Sequence, residues 1–216
     1  MTSPEMAEAH KALHDNKLFY SLTPELQIAT AKAIDMAGLD FGAYYEFGTF
    51  KGFNLWFAER YTRSKIVGYN WQFYGFDSFE GMPENDVHPN WAKGNYAASL
   101  EEVDGHLRRS RADMTRITLI KCWFDNIPQS VGMAPATVVV IDCDLYESAV
   151  EVLKFIGPKL VPGSIILFDD WYAYDADPAK GEQFAWYQYL AEHRDIQYGT
   201  LFNFGKYGKT IEITET

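Results

Sequence analysis

Cysteine is scarce in this sequence of 216 residues, with Cys122 and Cys143 its only two. Two cysteines cannot build a disulfide framework, and they cannot supply a four-cysteine zinc site. Neither has a clear histidine partner in the sequence, so catalysis by a thiol nucleophile is not indicated.

Positive charge is also scarce, with 19 lysines and arginines against 30 aspartates and glutamates, a formal net charge of −11. Proteins that bind nucleic acid or anionic membranes normally present a basic face, so neither partner is expected. Long apolar runs are missing too, because stretches such as Val138 to Ile141 and Ile165 to Phe168 are far too short to span a bilayer. No basic-then-apolar leader opens the chain, and the sequence therefore predicts a cytoplasmic protein.

Aromatic residues, in contrast, are abundant: 15 Phe, 14 Tyr and 6 Trp make up 16% of the chain. They could build the core, or some could line a pocket for a flat or sugar-like ligand. Trp171, Tyr172 and Tyr174 are candidates for the walls of an acceptor pocket. Phe184 and Tyr187 have helical spacing and are predicted to be core residues.

Strand and helix patterns alternate along the chain, which predicts an α/β fold with a mostly parallel sheet. Apolar runs rich in β-branched residues at 136–141 and 164–168 indicate strands buried on both faces. Pro162-Gly163 is predicted to be a turn, and strands at 197–203 and 210–213 predict a terminal hairpin. The remaining predicted strands are 43–47, 72–76 and 116–121, and the predicted helices that follow the first strand are 53–63, 99–110, 146–159 and 178–192.

Two further helices are predicted before the first strand. Ser3-Pro4-Glu5 and Thr23-Pro24-Glu25 each combine a capping residue with a proline, as is typical of a helix start. The second of these helices is expected to stop at Gly38. We therefore expect residues 1–40 to form an N-terminal helical lid on a single domain at residues 41–216.

Residues at the ends of the first two strands indicate a cofactor site, because ligands of parallel sheets bind at the carboxyl ends of strands. Glu46 precedes a turn with Gly48 and Gly52, whose backbone could approach a ligand at a helix start. A carboxylate there would repel a pyrophosphate but would suit the ammonium group of S-adenosylmethionine. Asp77 ends the second strand, where an acid accepts hydrogen bonds from ribose hydroxyls. The alternative is a tight turn with a solvated acid at Glu46.

Acidic residues also follow the fourth and fifth predicted strands. Asp142 and Asp169 are one strand-helix-strand unit apart, and Asp170 adjoins the second. Neighbouring parallel strands lie about 4.8 Å apart, so carboxylates at their ends could share one cation, and without it they would repel one another. Ligation by oxygen alone favours Mg²⁺. The alternative is that Asp142 or Asp144 caps the following helix.

Two residues are candidates for a general base. Asp144 lies beside the predicted metal ligands, and His88 lies in the connection from Asp77 to Ala97, a long loop of the kind that is usually functional or mobile. The alternative for His88 is an exposed loop histidine without a catalytic role.

Four segments together resemble a known family. They are Glu46-Phe-Gly-Thr-Phe-Lys-Gly52, Phe76-Asp-Ser-Phe-Glu-Gly-Met-Pro83, Ile141-Asp-Cys-Asp-Leu-Tyr-Glu-Ser148 and Pro162-Gly-Ser-Ile-Ile-Leu-Phe-Asp-Asp170. Over about residues 41 to 171 the sequence resembles the macrocin O-methyltransferase-like family of class I S-adenosylmethionine-dependent methyltransferases. The resemblance implies a Rossmann-like α/β fold, with a mostly parallel seven-stranded sheet, an antiparallel C-terminal strand and helices on both faces.

The resemblance also implies a site. Mg²⁺ would be held by Asp142, Asp169 and Asp170, and the acceptor would be a sugar hydroxyl of a natural product. The lysine base of catechol-type methyltransferases would fall at Leu145 and is therefore absent. The candidate cofactor-binding residues are Glu46, Gly48, Thr49, Gly52, Asp77, Ser78, Trp123 and Phe124.

The function predicted from these residues is Mg²⁺-assisted methyl transfer from S-adenosylmethionine to a hydroxyl of a small sugar or natural-product acceptor. Asp142, Asp144 and His88 are the candidate catalytic residues. The alternatives are a metal-independent N- or C-methyltransferase, a non-catalytic module that binds S-adenosylmethionine, and, third, an NAD oxidoreductase. The sequence leaves open whether the chain forms a homo-oligomer.

Overall fold

The computed structural model of the protein describes residues 24–37, 42–65, 68, 70–87, 89–132 and 134–216. The helix start predicted at Ser3, the helix stop predicted at Gly38 and the candidate base His88 lie outside these residues. Within the described part of the chain, the helices are too short or too polar to cross a membrane.

In the described residues, seven strands form one mixed sheet. In chain order they are β1 (Ala43–Phe47), β2 (Gln72–Asp77), β3 (Ile117–Lys121), β4 (Ala136–Ile141), β5 (Leu160–Phe168), β6 (Gln197–Phe204) and β7 (Gly208–Glu215). Across the sheet the order is β3-β2-β1-β4-β5-β7-β6. Strands β1 to β5 pair in parallel, and β7 runs antiparallel to both β5 and β6. The predicted sheet and its reversed C-terminal strand are confirmed.

Helices cover both faces of this sheet, also as predicted. They are α1 (Pro24–Ala37), α2 (Phe53–Lys65), α3 (Leu100–Arg109), α4 (Tyr146–Ile156) and α5 (Gly181–Glu192). Val138 and Val140 of β4 share one buried cluster with residues of α1, α2 and α3. Val139 and Ile141 share the opposite cluster with residues of α4 and α5. Successive side chains of a strand face opposite ways, so the unbroken apolar run of β4 is buried on both sides.

The Pro162-Gly163 pair is not the turn that the sequence predicts, because β5 begins at Leu160 and continues through both residues. The pairing register between β4 and β5 shifts at this place, and Gly163 adopts a φ of +92°. The hydroxyl oxygen of Ser164 accepts a hydrogen bond from the Val161 amide at 2.9 Å. The segment is a strand irregularity in which a side chain replaces a ladder hydrogen bond.

Helix α1 is the described part of the predicted N-terminal lid. Its residues Leu26, Ala29 and Ile34 are buried in the cluster that it shares with α2 and the sheet. The division of the chain into a lid at residues 1–40 and a domain at 41–216 stays a prediction.

Gly48 allows the end of β1 to approach the segment that follows β4. Its φ is +94°, and a Cβ atom added there would lie 1.7 Å from the carbonyl oxygen of Asp142. We expect Gly48→Ala to lower the free energy of unfolding by about 3 kcal/mol or more, because left-handed strain adds to a backbone clash. Equilibrium denaturation in urea measures this loss.

Gly163→Ala is the matched control for this prediction. Gly163 has a similar φ of +92°, but a Cβ atom added there would meet no atom within 4 Å. It should cost only about 1–2 kcal/mol, the strain alone. Equal losses for the two variants would mean that the approach at Gly48 does not constrain the fold.

Candidate active site

A cleft of about 2050 Å³ opens at the carboxyl ends of β1, β2, β4 and β5. It includes the point between β1 and β4 where the strand order reverses, which is where open α/β sheets bind their ligands. Of the described residues that were predicted from the sequence as site residues, those lining the cleft are Glu46, Gly48, Thr49, Asp77, Ser78, Trp123, Phe124, Asp142, Asp144, Asp169 and Asp170.

Glu46 is a buried carboxylate on β1 with only 2% of its surface exposed. Its Oε2 accepts hydrogen bonds from the Tyr44 hydroxyl at 2.5 Å and from Asn54 Nδ2 at 3.0 Å. Asn54 lies on α2, and its Oδ1 accepts a bond from the Thr30 hydroxyl of α1. Burial raises the pKa of Glu46 to about 7, against the lowering effect of the Tyr44 and Asn54 hydrogen bonds. The alternative of a solvated acid at Glu46 is therefore wrong.

Asp77 holds two loops of the cleft together. Its Oδ2 accepts a hydrogen bond from the Phe50 amide at 2.8 Å, and its Oδ1 accepts one from the Phe79 amide at 2.7 Å. Burial raises the pKa of Asp77, whereas these backbone bonds lower it. The Ser78 hydroxyl donates to the carbonyl oxygen of Gly81 and so closes the adjoining turn.

Among the other predicted cofactor residues, Trp123 and Phe124 line the cleft, whereas Gly52 is not among its described lining residues. Gly52 closes the loop before α2, since its amide donates to the carbonyl oxygen of Thr49 at 2.8 Å. Trp123 leaves 40% of its surface exposed in the cleft wall. The ring of Phe124 contacts Phe47 edge-on, with centroids 6.1 Å apart.

Three carboxylates converge at the ends of β4 and β5. Oxygens of Asp142, Asp144 and Asp170 lie within 4.8 Å of one another, and we call these residues the acid cluster. The predicted ligand Asp169 is outside this set, although it is the strongest charged neighbour of Asp142. Glu25 of α1 is among the charges acting on Asp169. The sequence predicted Asp169 as the third member of this cluster. In the structure the third member is Asp144, which the sequence predicted as a base.

The acid cluster does not cap the helix that follows it. Leu145 is the N-cap residue of α4, and no side-chain hydrogen bond caps that end. The capping interpretation of Asp142 and Asp144 is therefore wrong. Asp144 instead has a φ of +58°, a left-handed conformation that aspartate adopts more readily than most residues.

Burial dominates the electrostatics of the acid cluster. It raises the pKa of Asp142 and of Asp170 well above the usual range, and the neighbouring carboxylates raise both further. It raises the pKa of Asp144 to about 6, and that of Asp169 to about 7 with the charge of Asp170 adding to the effect. Carboxylates under this mutual repulsion gain most from a shared cation, and their all-oxygen donor set suits a hard divalent ion.

Two aromatic residues surround Asp144. The Trp91 side chain, from the loop after β2, hydrogen-bonds its carboxylate. The Tyr174 hydroxyl donates to its carbonyl oxygen at 2.8 Å, and the rings of Trp91 and Tyr174 lie 5.2 Å apart. Gly181 makes room for Tyr174, because a Cβ atom there would lie 2.6 Å from the Tyr174 ring. The long loop is thereby joined to the acid cluster.

The structure assigns the C-terminal aromatic residues to the cleft and to the core differently from the sequence prediction. Tyr174 lines the cleft as predicted, but Trp171 is only 1% exposed and packs in the core. Tyr172 packs against that core and is not among the described cleft residues. Tyr187, predicted as core, leaves 38% of its surface exposed. The helical spacing of Tyr187 could not reveal that α5 turns this side toward solvent.

Two site residues, Asn54 and Glu182, escaped the sequence interpretation, whereas Tyr96 is one of the rings of the 77–97 loop that the sequence makes candidates for contact with an acceptor. Asn54 is an ordinary helix residue in the sequence, and only packing brings it to Glu46. Tyr96 lines the cleft with 49% of its surface exposed. Glu182, in the first turn of α5, is fully buried beneath the acid cluster. An acid in the first turn of a helix usually only complements the helix dipole, so Glu182 carried no distinctive signal.

Neither cysteine has the character of a nucleophile. Burial raises the pKa of the Cys122 thiol to about 11 and that of the Cys143 thiol well above its usual value. Reactive cysteines need a lowered pKa, so these environments do not activate either thiol as a nucleophile.

Comparison with known families identifies the family to which the chain belongs. The sequence model of the family described as macrocin-O-methyltransferase (TylF) matches residues 28–195, well over half of the chain. The chain belongs to this family. The matched range includes the candidate cofactor site, the acid cluster and Glu182, so the resemblance seen in the four sequence segments is confirmed.

A curated O-methyltransferase is also similar to part of this chain. A curated Streptomyces olivaceus protein, 8-demethyl-8-(2,3-dimethoxy-alpha-L-rhamnosyl)-tetracenomycin-C 4'-O-methyltransferase, is 31% identical over 109 residues, which are 46% of this chain. The match spans only 41% of the length of that relative.

Solved structures share the fold. The O-methyltransferase NovP is 20% identical with a TM-score of 0.72, covering 88% of this chain and 79% of NovP. The calicheamicin methyltransferase CalS11 is 21% identical with a TM-score of 0.66, covering 98% and 94% of the two chains. These likenesses confirm the Rossmann-like class I methyltransferase fold.

Proposed function

We propose that this protein is an S-adenosylmethionine-dependent O-methyltransferase that acts on a sugar hydroxyl of a natural product. The observation that carries the proposal is the placement of two acidic features in one cleft. Buried Glu46 lies at the end of β1, and the acid cluster lies at the ends of the adjoining strands β4 and β5. Family membership supports the reaction type.

The Glu46 end of the cleft is assigned to the methyl donor. The Glu46 carboxylate accepts hydrogen bonds from the ammonium group of the methionine part. The Asp77 carboxylate accepts a hydrogen bond from a ribose hydroxyl and also holds the two loops of the cleft together. Trp123 and Phe124 flank the adenine, for which an exposed indole in the cleft wall is a suitable surface. Gly48, Thr49, Gly52 and Ser78 shape the backbone around the donor.

The acid cluster is assigned to Mg²⁺, which fits its donor set of closely spaced, partly buried carboxylates. Asp142, Asp144 and Asp170 would hold the ion, and Asp169 would contribute charge from the side. When bound, a divalent cation supplies Lewis-acid polarisation that lowers the pKa of a coordinated hydroxyl.

The acceptor hydroxyl is assigned to the side of the cleft between the acid cluster and Tyr96. Asp144 takes the hydroxyl proton as the oxygen attacks the methyl carbon and the carbon–sulfur bond breaks, leaving S-adenosylhomocysteine. Trp91 and Tyr174 hold Asp144 in place for this step. The sugar acceptor is supported by the Streptomyces olivaceus relative, whose name specifies a rhamnosyl substrate. His88, the other predicted base, stays a prediction.

The small-molecule acceptor also agrees with the charge of the chain. A net charge of −11 opposes binding to nucleic acid and anionic membranes, and a cytoplasmic location remains our expectation. Whether copies of the chain assemble is measured directly by light scattering.

Ligand binding and turnover test the proposal together. Thermal-shift titrations with S-adenosylmethionine, S-adenosylhomocysteine and NAD, each with and without Mg²⁺, identify the ligand that stabilises the protein. Mass spectrometry then follows methyl transfer to a panel of neutral rhamnosides and glycosylated polyketides. Methylation of a sugar oxygen that stops with EDTA and returns with Mg²⁺ is expected.

Other outcomes of the same experiment select the alternatives. Methylation that persists in EDTA indicates a metal-independent enzyme. Donor binding without turnover on any acceptor indicates a binding module, and stabilisation by NAD alone contradicts the proposal.

Binding of the methyl donor should also depend on pH. The raised pKa of Glu46, about 7, means that the free protein is largely protonated there below neutrality. The ligand ammonium requires the ionised form, so affinity for S-adenosylhomocysteine should rise with pH up to about 8 and fall up to tenfold per unit below pH 7.

Calorimetry between pH 5.5 and pH 8 measures this profile, with EDTA present to remove metal effects. The control is Glu46→Gln, which cannot ionise and should bind weakly with a flat profile. A flat profile for the wild type would contradict the assignment of Glu46 to the ammonium group.

A further inference from the structure

Glu182 is a buried carboxylate that lies behind the acid cluster. It belongs to the first turn of α5, and none of its surface is exposed. Its Oε2 accepts a hydrogen bond from the Asp170 amide at 3.1 Å, and its Oε1 accepts one from the Cys143 amide at 3.4 Å. One side chain therefore joins the segment after β4 to the segment after β5.

The two amides that Glu182 binds belong to the backbone of the acid cluster itself. Cys143 lies between Asp142 and Asp144, and Asp170 is a member of the cluster. Backbone conformation at these residues sets the direction of each carboxylate, and Asp144 is in the left-handed region. A third element, α5, thus hydrogen-bonds to the backbone of both segments through one side chain.

Burial of the Glu182 carboxylate costs free energy, which a residue that only stabilised the helix would not need to spend. An acid in the first turn of a helix complements the dipole equally well at the surface. Here the side chain is removed from water, and the charges of Asp170, Asp169 and Asp144 oppose its ionisation. It also does not cap α5, whose N-cap residue is Lys180.

We propose that Glu182 is a positioning residue for the cation site, which holds the β4 and β5 segments so that Asp142, Asp144 and Asp170 converge. The inference rests on the proposed assignment of Mg²⁺ to this cluster. Glu182 lies behind the amides and does not itself coordinate the ion. Outer partners of this kind change metal affinity by about 10–100-fold when they are removed.

Titration of the metal-free protein with Mg²⁺ tests this role. Glu182→Ala removes both hydrogen bonds and should raise the Kd for Mg²⁺ by about 10–100-fold. Glu182→Gln keeps the size and one acceptor oxygen, and should give an intermediate Kd. The Kd for S-adenosylhomocysteine, measured in EDTA, should stay within about twofold of the wild type, because Glu182 hydrogen-bonds to the Cys143 and Asp170 amides, whereas the proposed donor site lies at Glu46 and Asp77.

Glu59→Gln is the matched control. Glu59 is also a buried glutamate with no exposed surface, but it pairs with Arg63 on α2, at 3.0 Å. This variant should lower Tm without changing the Kd for Mg²⁺. If Glu182→Ala does not fold, the comparison of Glu182→Gln with Glu59→Gln decides the question.

Each remaining outcome overturns the inference in a distinguishable way. A folded Glu182→Gln protein with the wild-type Mg²⁺ affinity contradicts the positioning role and leaves the proposed function intact. Equal weakening of Mg²⁺ and S-adenosylhomocysteine would indicate a general structural role. A wild-type protein that binds no Mg²⁺ contradicts both the inference and the metal assignment on which it rests.

Discussion

Replacement of Asp144 by asparagine is expected to lower kcat for methyl transfer by about 10²–10⁴-fold, because it removes the proposed general base and also one of the three carboxylates assigned to the cation. Asparagine has the size of aspartate and tolerates the left-handed conformation at this position, so the fold should persist. The affinity for S-adenosylhomocysteine should not change, because Asp144 belongs to the acceptor side of the cleft. Steady-state kinetics with the acceptor found in the glycoside panel measures the effect.

Asp175→Asn is the control for the Asp144 variant. Asp175 also lines the cleft and also has a positive φ, of 57°, but it is exposed and lies outside the acid cluster. Its kcat should stay within about twofold of the wild type. A kcat for Asp144→Asn within tenfold of the wild type would mean that another group accepts the proton.

Replacement of Glu46 by alanine is expected to weaken binding of S-adenosylhomocysteine by about 100-fold. Loss of one partner of a buried charge pair costs about 2–5 kcal/mol, and each 1.4 kcal/mol is a factor of ten. Removal also leaves Asn54 Nδ2 without one of its acceptors and the Tyr44 hydroxyl without its acceptor in a buried place. Calorimetry at pH 8, where the wild-type carboxylate is ionised, measures the loss.

Two comparisons make the Glu46 result specific. Glu46→Gln keeps the volume and should lose most of the affinity, because the charge is what attracts the ammonium group. Glu59→Gln removes a different buried carboxylate of the same domain and should bind the ligand normally. If Glu46→Ala binds S-adenosylhomocysteine as the wild type does, the donor site lies elsewhere in the cleft.

The sheet could be predicted from the sequence because its signals are local. The apolar run of β4 matches a strand buried on two faces, and Ser99 with Glu102 forms a capping box, a local sequence pattern, at the start of α3. Pro162-Gly163 misled the prediction for the same reason. The pair is a strong local turn signal, and the hydrogen bonds that keep the segment in the sheet come from Ser164 and from β4.

The sequence predicted at which strand ends the site residues lie. It predicted less well how their side chains are arranged. Parallel strands must end at one edge, so acids that follow them had to lie near one another. Which oxygens converge depends on the left-handed turn at Asp144 and on charges from other elements, such as Glu25 at Asp169. Sequence distance holds no information about either effect.

The sequence by itself determined the fold class, the family and the positions of the acidic residues at the strand ends. It could do so because strand and helix patterns and short motifs consist of consecutive residues. Only the tertiary structure decided that Glu46 is buried with Asn54, that Asp144 joins the acid cluster, and that Glu182 lies beneath it. Burial and the approach of distant backbones create those relations. They change the pKa values and the directions of side chains whose identities the sequence already contained.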